Sequence, residues 1–302
     1  MKKGYWYIAA TAFLFSTAEI ASKFMAGKLD PFQLVLLRFF IGGLFLLPFA
    51  LAELKRRGLK LGWNDLLYFT LTGFLGVTVS MSLFQMALVY ADASVVAVIF
   101  SVNTVFTSLF AVLFLKERFT WQSAAALALG LLGVGAMLFP FTGGAGALGV
   151  VLTLLAAAVF SLFGVIGTRR VARYGGFILN SFSFLAGVAL LLPFMLALGK
   201  PILAGLDWST LPVVAYYGVF VTGLGYFFYL SAMRETGAIQ TSAVFFIKPA
   251  LAPLLAWIVL GETIGPGKLA GMAMIVAGAL VLFWRRVSEK KGSAKPLEKT
   301  YK

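Results

Sequence analysis

The 302-residue chain has no cysteine and no histidine. Without cysteine there is no disulfide framework, thiolate metal site or thiol chemistry. Without histidine the commonest proton shuttle and metal ligand is gone. Acidic residues are scarce, 11 against 25 Lys and Arg, and charged residues of both signs make up only 12% of the chain. No GxxxxGK[ST] loop occurs, so intrinsic ATP use is not expected. No aspartate pair lies in an apolar run, and nothing else assembles a nucleophile or a metal centre. The sequence therefore reads as a non-enzyme, with no cofactor and no metal expected.

What the chain has is apolar residues: 61% of the total, with a mean hydropathy of +0.97. That excludes an ordinary soluble domain. The net charge of +14 invites a nucleic-acid reading, but the basic residues fall in short loops between apolar runs, as in polytopic membrane proteins. Ten such runs can be read, near 5–22, 32–52, 66–89, 94–115, 121–140, 147–168, 177–198, 209–231, 239–260 and 267–284. The expected fold class is an all-α integral membrane protein with ten transmembrane helices. With the N-terminus inside, 19 Lys and Arg fall on the inner side and four on the outer, so both termini are expected in the cytoplasm. The expected location is the cell inner (plasma) membrane. Met1-Lys2-Lys3 before an apolar run imitates a signal peptide, but the first run has an internal counterpart, which argues against cleavage.

That counterpart belongs to a repeat. A shift of 145 residues, without a gap, pairs Phe15-Ser16 with Phe160-Ser161, Phe39 with Phe184, Gly42 with Gly187 and Pro48 with Pro193. It goes on to pair Trp63 with Trp208, Gly73 with Gly218, Phe100 with Phe245, Glu117 with Glu262 and Gly133 with Gly278. Each half holds five runs, and an odd number forces the second half to enter the membrane upside down. Inverted repeats place the substrate site at their interface. The expected units are 1–145, an inverted 146–284, and a basic, disordered tail at 285–302.

The ninth run carries Phe245-Phe246-Ile247-Lys248-Pro249-Ala250-Leu251-Ala252-Pro253. Lys248 lies about ten residues in, roughly 15 Å deep, where a charge costs about 2.5–3.5 kcal/mol on insertion scales. Pro249 and Pro253 each remove a helical donor, so a broken helix at mid-depth is expected. A lysine beside broken helix at the midplane is how transporters hold substrate; the plain alternative is a structural ion pair locking two helices. Two further charges fall within runs, Glu19 and Arg38. Both sit in the outer half at similar depth, so a Glu19–Arg38 pair is expected, with Lys23 at i+4 as a competitor and Lys248 left without a carboxylate. The cavity is then net positive and suits a carboxylate or phosphate. The shift sets Asn103 opposite Lys248. Gln85 and Asn103 are candidates because buried amides need partners, and Phe245 and Tyr229 because aromatics there can wall a pocket or meet an ammonium group. The candidate substrate-binding set is Lys248, Pro249, Asn103, Gln85, Glu19, Arg38, Phe245 and Tyr229. Glu117 and Glu262, closing the fourth and ninth runs, read as structural. Gly267-Lys268-Leu269-Ala270-Gly271 matches GxxxG, a weak sign of oligomerisation, so a monomer or weak homodimer is expected.

Several stretches carry a family resemblance: Leu37-Arg38-Phe39-Phe40 leading to Pro48, Phe114-Leu115-Lys116-Glu117, Lys248 to Pro253 running to Leu260-Gly261-Glu262, and Leu269-Ala270-Gly271 to Ala277-Gly278. Over about residues 4–284 the chain resembles the drug/metabolite transporter superfamily in its ten-helix form with two EamA-type repeats. The resemblance implies alternating-access transport of small metabolites, often amino-acid export. It also implies a central cavity lined by the third, fourth, eighth and ninth spans, with help from the first and sixth. Ser183 stands where symmetry with Arg38 would place an arginine. The expected function is export of small carboxylate-bearing metabolites, amino acids first. The alternatives are a carrier or exchanger of phosphorylated or other organic anions, or a passive facilitator. The expected partners are a small-molecule substrate and membrane lipid, without nucleic acid.

Overall fold

A computed structural model describes residues 2–91, 93–138, 147–260 and parts of 266–281. The chain is helical, with no β-strand among the described residues. Helices α1 (Lys2–Ser16) and α2 (Ala18–Met25) form one rod bent at Thr17. Next comes α3 (Pro31–Arg57), which Asp30 opens by accepting from the Phe32 N–H at 2.9 Å; Gln33 returns a side-chain oxygen to the Asp30 N–H. This reciprocal cap satisfies donors at the helix start, and Gly58 in the left-handed region (φ 61°) ends the helix.

The third rod joins α4 (Trp63–Gly73), a π-helical stretch at Phe74–Met81 and α5 (Ser82–Tyr90). After α6 (Ala93–Phe100) a turn at Ser101-Val102 precedes α7 (Asn103–Leu115), and α8 (Trp121–Leu138) follows. Helix α9 (Ala147–Ala197) holds 51 residues. At 1.5 Å per residue it would be about 77 Å long, over twice the hydrocarbon thickness of a bilayer. It breaks at Gly175 (φ 79°, ψ 170°) into two arms, and the expected loop at 169–176 is reduced to that one residue. Then come α10 (Leu211–Tyr216), a second π-helical stretch at Tyr217–Leu224 and α11 (Gly225–Thr236). Last are α12 (Ala238–Thr241) and α13 (Val244–Leu260). Six of the rods are long and apolar enough to cross a membrane, the 51-residue helix counted once. The expected tail at 285–302 and Glu262 lie outside the described residues, as does Lys268 in the GxxxG stretch.

The ninth run breaks elsewhere than expected. Helix α13 continues through Pro249, and the interruption falls earlier, at Ser242-Ala243. Starting the helix at Val244 puts Pro249 in its second turn, where only one early hydrogen bond, to the Phe245 carbonyl, is lost. The short helix before it, α12, is held from outside: the Glu117 carboxylate accepts from the N–H groups of Ala238 (2.8 Å) and Ile239 (3.2 Å), beside Gly237 at φ 88°. Glu117 is thus a cap on a neighbouring helix end.

The two halves pack as an approximate two-fold pair. Under a two-fold, a contact between residues i and j in different halves reappears between their exchanged repeat mates. A Cβ on Gly42 would meet the Gly218 carbonyl at 2.9 Å, and one on Gly187 would meet the Gly73 carbonyl at 2.6 Å; exchange turns the first contact into the second. Phe39–Phe184 (4.9 Å between ring centroids) and Phe100–Phe245 (5.9 Å) are their own images, so they lie on the axis. Phe15–Phe245 (6.1 Å) maps onto Phe160–Phe100 (5.6 Å), and Phe84–Phe100 (4.9 Å) onto Tyr229–Phe245 (5.7 Å). These edge-on and tilted rings form the middle layer of the molecule.

Candidate substrate site

The three in-span charges meet in that middle layer. Glu19 is on α2, just past the bend at Thr17, and Lys248 is on α13, four residues past Val244. The two form an ion pair whose side chains are 6% and 5% exposed. The sequence suggested instead that Glu19 would pair with Arg38. Depth fixes position along a helix but not which helix faces it, and the bends at Thr17 and Ser242-Ala243 bring α2 and α13 together. Lys248 also sits over the rings of Phe84 (5.5 Å) and Phe100 (5.7 Å), which adds cation–π attraction.

Arg38 is buried, yet its Nε and Nη2 have no hydrogen-bond partner among the described residues. Its guanidinium carbon lies 4.8 Å from the Phe39 ring centroid and 4.5 Å from that of Tyr217. Gly218 lets this part of α3 come close, since a Cβ there would stand 3.3 Å from the Arg38 carbonyl. Tyr217 ties the layer together: Ser22 Oγ donates to its hydroxyl at 3.2 Å, and Gln85 Nε2 donates to Ser22 Oγ at 3.4 Å.

Above this layer lies a cavity of about 690 Å³, lined by Glu19, Ser22, Lys23, Leu34, Gln85 and Leu88 among others and rimmed by 25–31. It falls within the size range of small-molecule sites, about 300–1,000 Å³. Below it a chamber of about 30 Å³, with Arg38 and Lys248 in its wall, is closed in by Phe15, Phe84, Phe100, Phe160, Tyr226 and Phe245. That is room for a water or two. At the opposite end the mates of the cavity's rim, Val171, Gly175, Gly176 and Arg234, line a smaller pocket of about 170 Å³, but the mates of its inner wall are packed. Gly164, the mate of Glu19, lies against Tyr229, whose hydroxyl stands 2.9 Å from where a Cβ would be. Thr168, the mate of Lys23, contacts Met233 Sδ at 3.0 Å. The cavity that reaches the polar layer is thus wide at one end, while at the other end a smaller pocket is cut off from the layer by packing at Gly164 and Thr168.

Of the candidate residues, the structure brings Glu19, Arg38, Gln85, Phe245 and Lys248 to these two spaces. It does not bring Asn103, Tyr229 or Pro249. Asn103 and Tyr229 are fully buried on the closed side of the axis, and Pro249 is buried beside Lys248. The small chamber has the walls that were expected, from the third, fourth, eighth and ninth runs with the first and sixth, and adds Arg38 of the second; the wide cavity differs, being lined by the first three rods. Ser22, Tyr217 and Tyr226 were not anticipated. Ser22 had a signal, since it lies three residues after Glu19 and so on the same face; the two tyrosines, amid 46 aromatics, had none.

The repeat mates of Glu19, Arg38 and Lys248 are Gly164, Ser183 and Asn103. Every charge of the layer thus belongs to one side of the approximate two-fold. Ser183 Oγ instead meets Thr72 Oγ1 at 2.7 Å.

Described residues that are all helical, with apolar rods, repeat-related packing and a buried charged layer at their centre, are those of a polytopic membrane transporter. The chain belongs to the EamA-like transporter family, which it matches twice, over residues 2–139 and 147–284. It is 40% identical over 289 residues to an uncharacterized transporter of Clostridium kluyveri, covering 93% of each chain. It is 25% identical to a probable terminal-alkyne amino-acid exporter of Streptantibioticus cattleyicolor, covering 77% of this chain and 78% of that one. An S-adenosylmethionine uptake transporter of Rickettsia felis is 24% identical, with 94% and 92% covered. One solved crystal structure superposes with a TM-score of 0.77 at 22% identity, covering 95% of this chain and 99% of that one. The fold is thus shared with a known structure, and the role is that of a transporter.

Proposed function

We propose that the protein is a secondary transporter that exports small carboxylate-bearing metabolites, amino acids first among them, from the cytoplasm across the inner (plasma) membrane. In this reading ten spans form two inverted five-helix units, 1–145 and 146–284, and the layer of Glu19, Arg38 and Lys248 is exposed to the two sides in turn. The observation that carries it is the charge of the layer between the two spaces: two cations, Arg38 and Lys248, in the wall of the small chamber, and one carboxylate, Glu19, on the wide cavity. One positive charge in excess, in a site poor in water, favours an anionic group on the ligand. A polar layer reached by a wide cavity from one end and cut off from the other supports alternating access over a passive channel. The substrates in the names of the S. cattleyicolor and R. felis relatives both include an amino-acid group, which favours a zwitterion over a plain anion. The second reading, a carrier of phosphorylated or other organic anions, rests on the same surplus charge.

Thermal shift of the purified protein against a metabolite panel tests the substrate class. Amino acids or other carboxylates should raise the melting temperature, and their carboxamides should not. A panel in which only uncharged or cationic compounds stabilise the protein overturns the reading. Counterflow in vesicles of both orientations then tests direction.

The topology is tested with single cysteines, which are easy to place because the chain has none. Cysteines within 53–62 and in the tail should resist an impermeant thiol reagent in intact cells, and one near Gly144 should react. The opposite pattern reverses the orientation.

A further inference from the structure

We infer that Arg38, rather than Lys248, is the receptor for the substrate's carboxylate, with Lys248 serving as the counter-ion of Glu19. The inference rests on the carboxylate reading above and assigns its binding group.

The two cations of the layer differ in what they already hold. Lys248 is matched by Glu19 at direct contact. Arg38 is no more exposed, at 2%, yet no carboxylate reaches it among the described residues. Leaving a buried guanidinium edge without acceptors is costly. A fold that keeps one while placing the available carboxylate elsewhere has left it for something else. The free atoms are Nε and Nη2. On a guanidinium these two share one edge, with parallel N–H bonds spaced to meet both oxygens of a planar carboxylate. The Phe39 and Tyr217 rings hold the group in place, so little rotamer freedom remains to be lost on binding. Arg38 lines the small chamber ringed by Phe15, Phe84 and Phe245, so a carboxylate reaches its free edge only with movement of these rings, and it then has an apolar neighbourhood beside it. The site therefore takes a planar carboxylate gripped by two hydrogen bonds, on a molecule whose remainder is at least partly apolar.

This placement also explains the missing symmetry. Ser183, the repeat mate of Arg38, uses its hydroxyl on Thr72, so the layer has a single carboxylate fork. One anionic group per transport cycle follows.

The test measures binding by equilibrium dialysis of purified protein in detergent, using the amino acid that stabilises the wild type most and its carboxamide. The wild type should bind the acid at least tenfold more tightly than the amide. Arg38→Gln and Arg38→Lys should each weaken the acid at least tenfold and leave the amide unchanged, with melting temperatures equal to or above the wild type's. The lysine variant decides between fork and charge, since it keeps the charge and loses the second parallel N–H. As a check needing no stable variant, hydrogen–nitrogen NMR of arginine-labelled wild type should show one Nε–H resonance moving with the acid and none with the amide. Wild-type affinity in Arg38→Lys, or no shifted Nε–H, overturns the receptor role and leaves the carboxylate reading standing. A wild type that binds the amide as tightly as the acid overturns both.

Discussion

Lys248→Ala should lower the stability of the protein by about 3–5 kcal/mol, the usual cost of removing one partner from a buried ion pair. Its partner is identified: Glu19, 6% exposed, whose carboxylate oxygens have no hydrogen-bond partner among the described residues beyond this contact. Arg38 limits the loss to some extent, because it is a cation in the same layer. It cannot replace Lys248 without leaving its seat against Phe39 and Tyr217, so the effect stays large. Adding Glu19→Ala should then restore much of the stability, since the double variant strands neither member of the pair. Melting curves of the wild type, each single variant and the double variant measure the coupling directly. Additive losses would show that the pair is not a structural unit. A Lys248→Ala protein that melts with the wild type would show the same more simply. Loss of transport in Lys248→Ala alone would not identify a binding residue, because the stranded Glu19 carboxylate would also compete for Arg38.

The sequence showed the layer but not its wiring. Counting residues from the run ends placed Glu19, Arg38 and Lys248 inside the bilayer, and the structure gathers all three around adjacent cavities. Depth is one coordinate of a helix. Rotation about its axis and the identity of its neighbour are two more, and these are set by bends that no residue at Thr17 or Ser242-Ala243 announced. The prolines were the visible breakers, yet α13 runs through Pro249, and the break lies nearly two turns earlier at Ser242-Ala243, after a short helix whose start Glu117 of another segment caps. A cap given by a residue more than a hundred positions away leaves no local signature.

The repeat was more informative, since it constrains pairs of residues rather than single ones. The 145-residue shift matched Phe39 with Phe184 and Phe100 with Phe245, and both pairs are in contact. The same shift misled for Asn103. Its equivalence to Lys248 is real, but equivalence under a two-fold places it on the opposite side of the axis, in the closed half. For a molecule whose polar layer is reached from only one end, matched positions have unmatched environments.

The glycine crossings give the second large effect. Gly73→Ala should destabilise the protein by about 3 kcal/mol or more, at or beyond the upper end of ordinary overpacking. The added Cβ would collide with the Ser183 carbonyl and stand 2.6 Å from the Gly187 nitrogen and 3.1 Å from its Cα. All three atoms are backbone, so no side chain can rotate away, and the third rod must move off α9. That motion also strains the Thr72–Ser183 contact (2.7 Å) and the Thr78 hydroxyl's bond to the Gly187 carbonyl (2.9 Å), each buried group costing about 1–3 kcal/mol if left unpaired. Gly187→Ala, whose Cβ meets the Gly73 carbonyl at 2.6 Å, should come next, and Gly42→Ala, 2.9 Å from the Gly218 carbonyl, should be milder. Gly167→Ala finds only side-chain atoms at 3.4 and 3.7 Å and should be tolerated. Gly135→Ala meets nothing within 4 Å and should gain about 0.5–1 kcal/mol from the stiffer helix. Melting temperatures of the five variants should follow this order. A Gly73→Ala protein as stable as Gly167→Ala would mean that the third rod and α9 do not cross this closely.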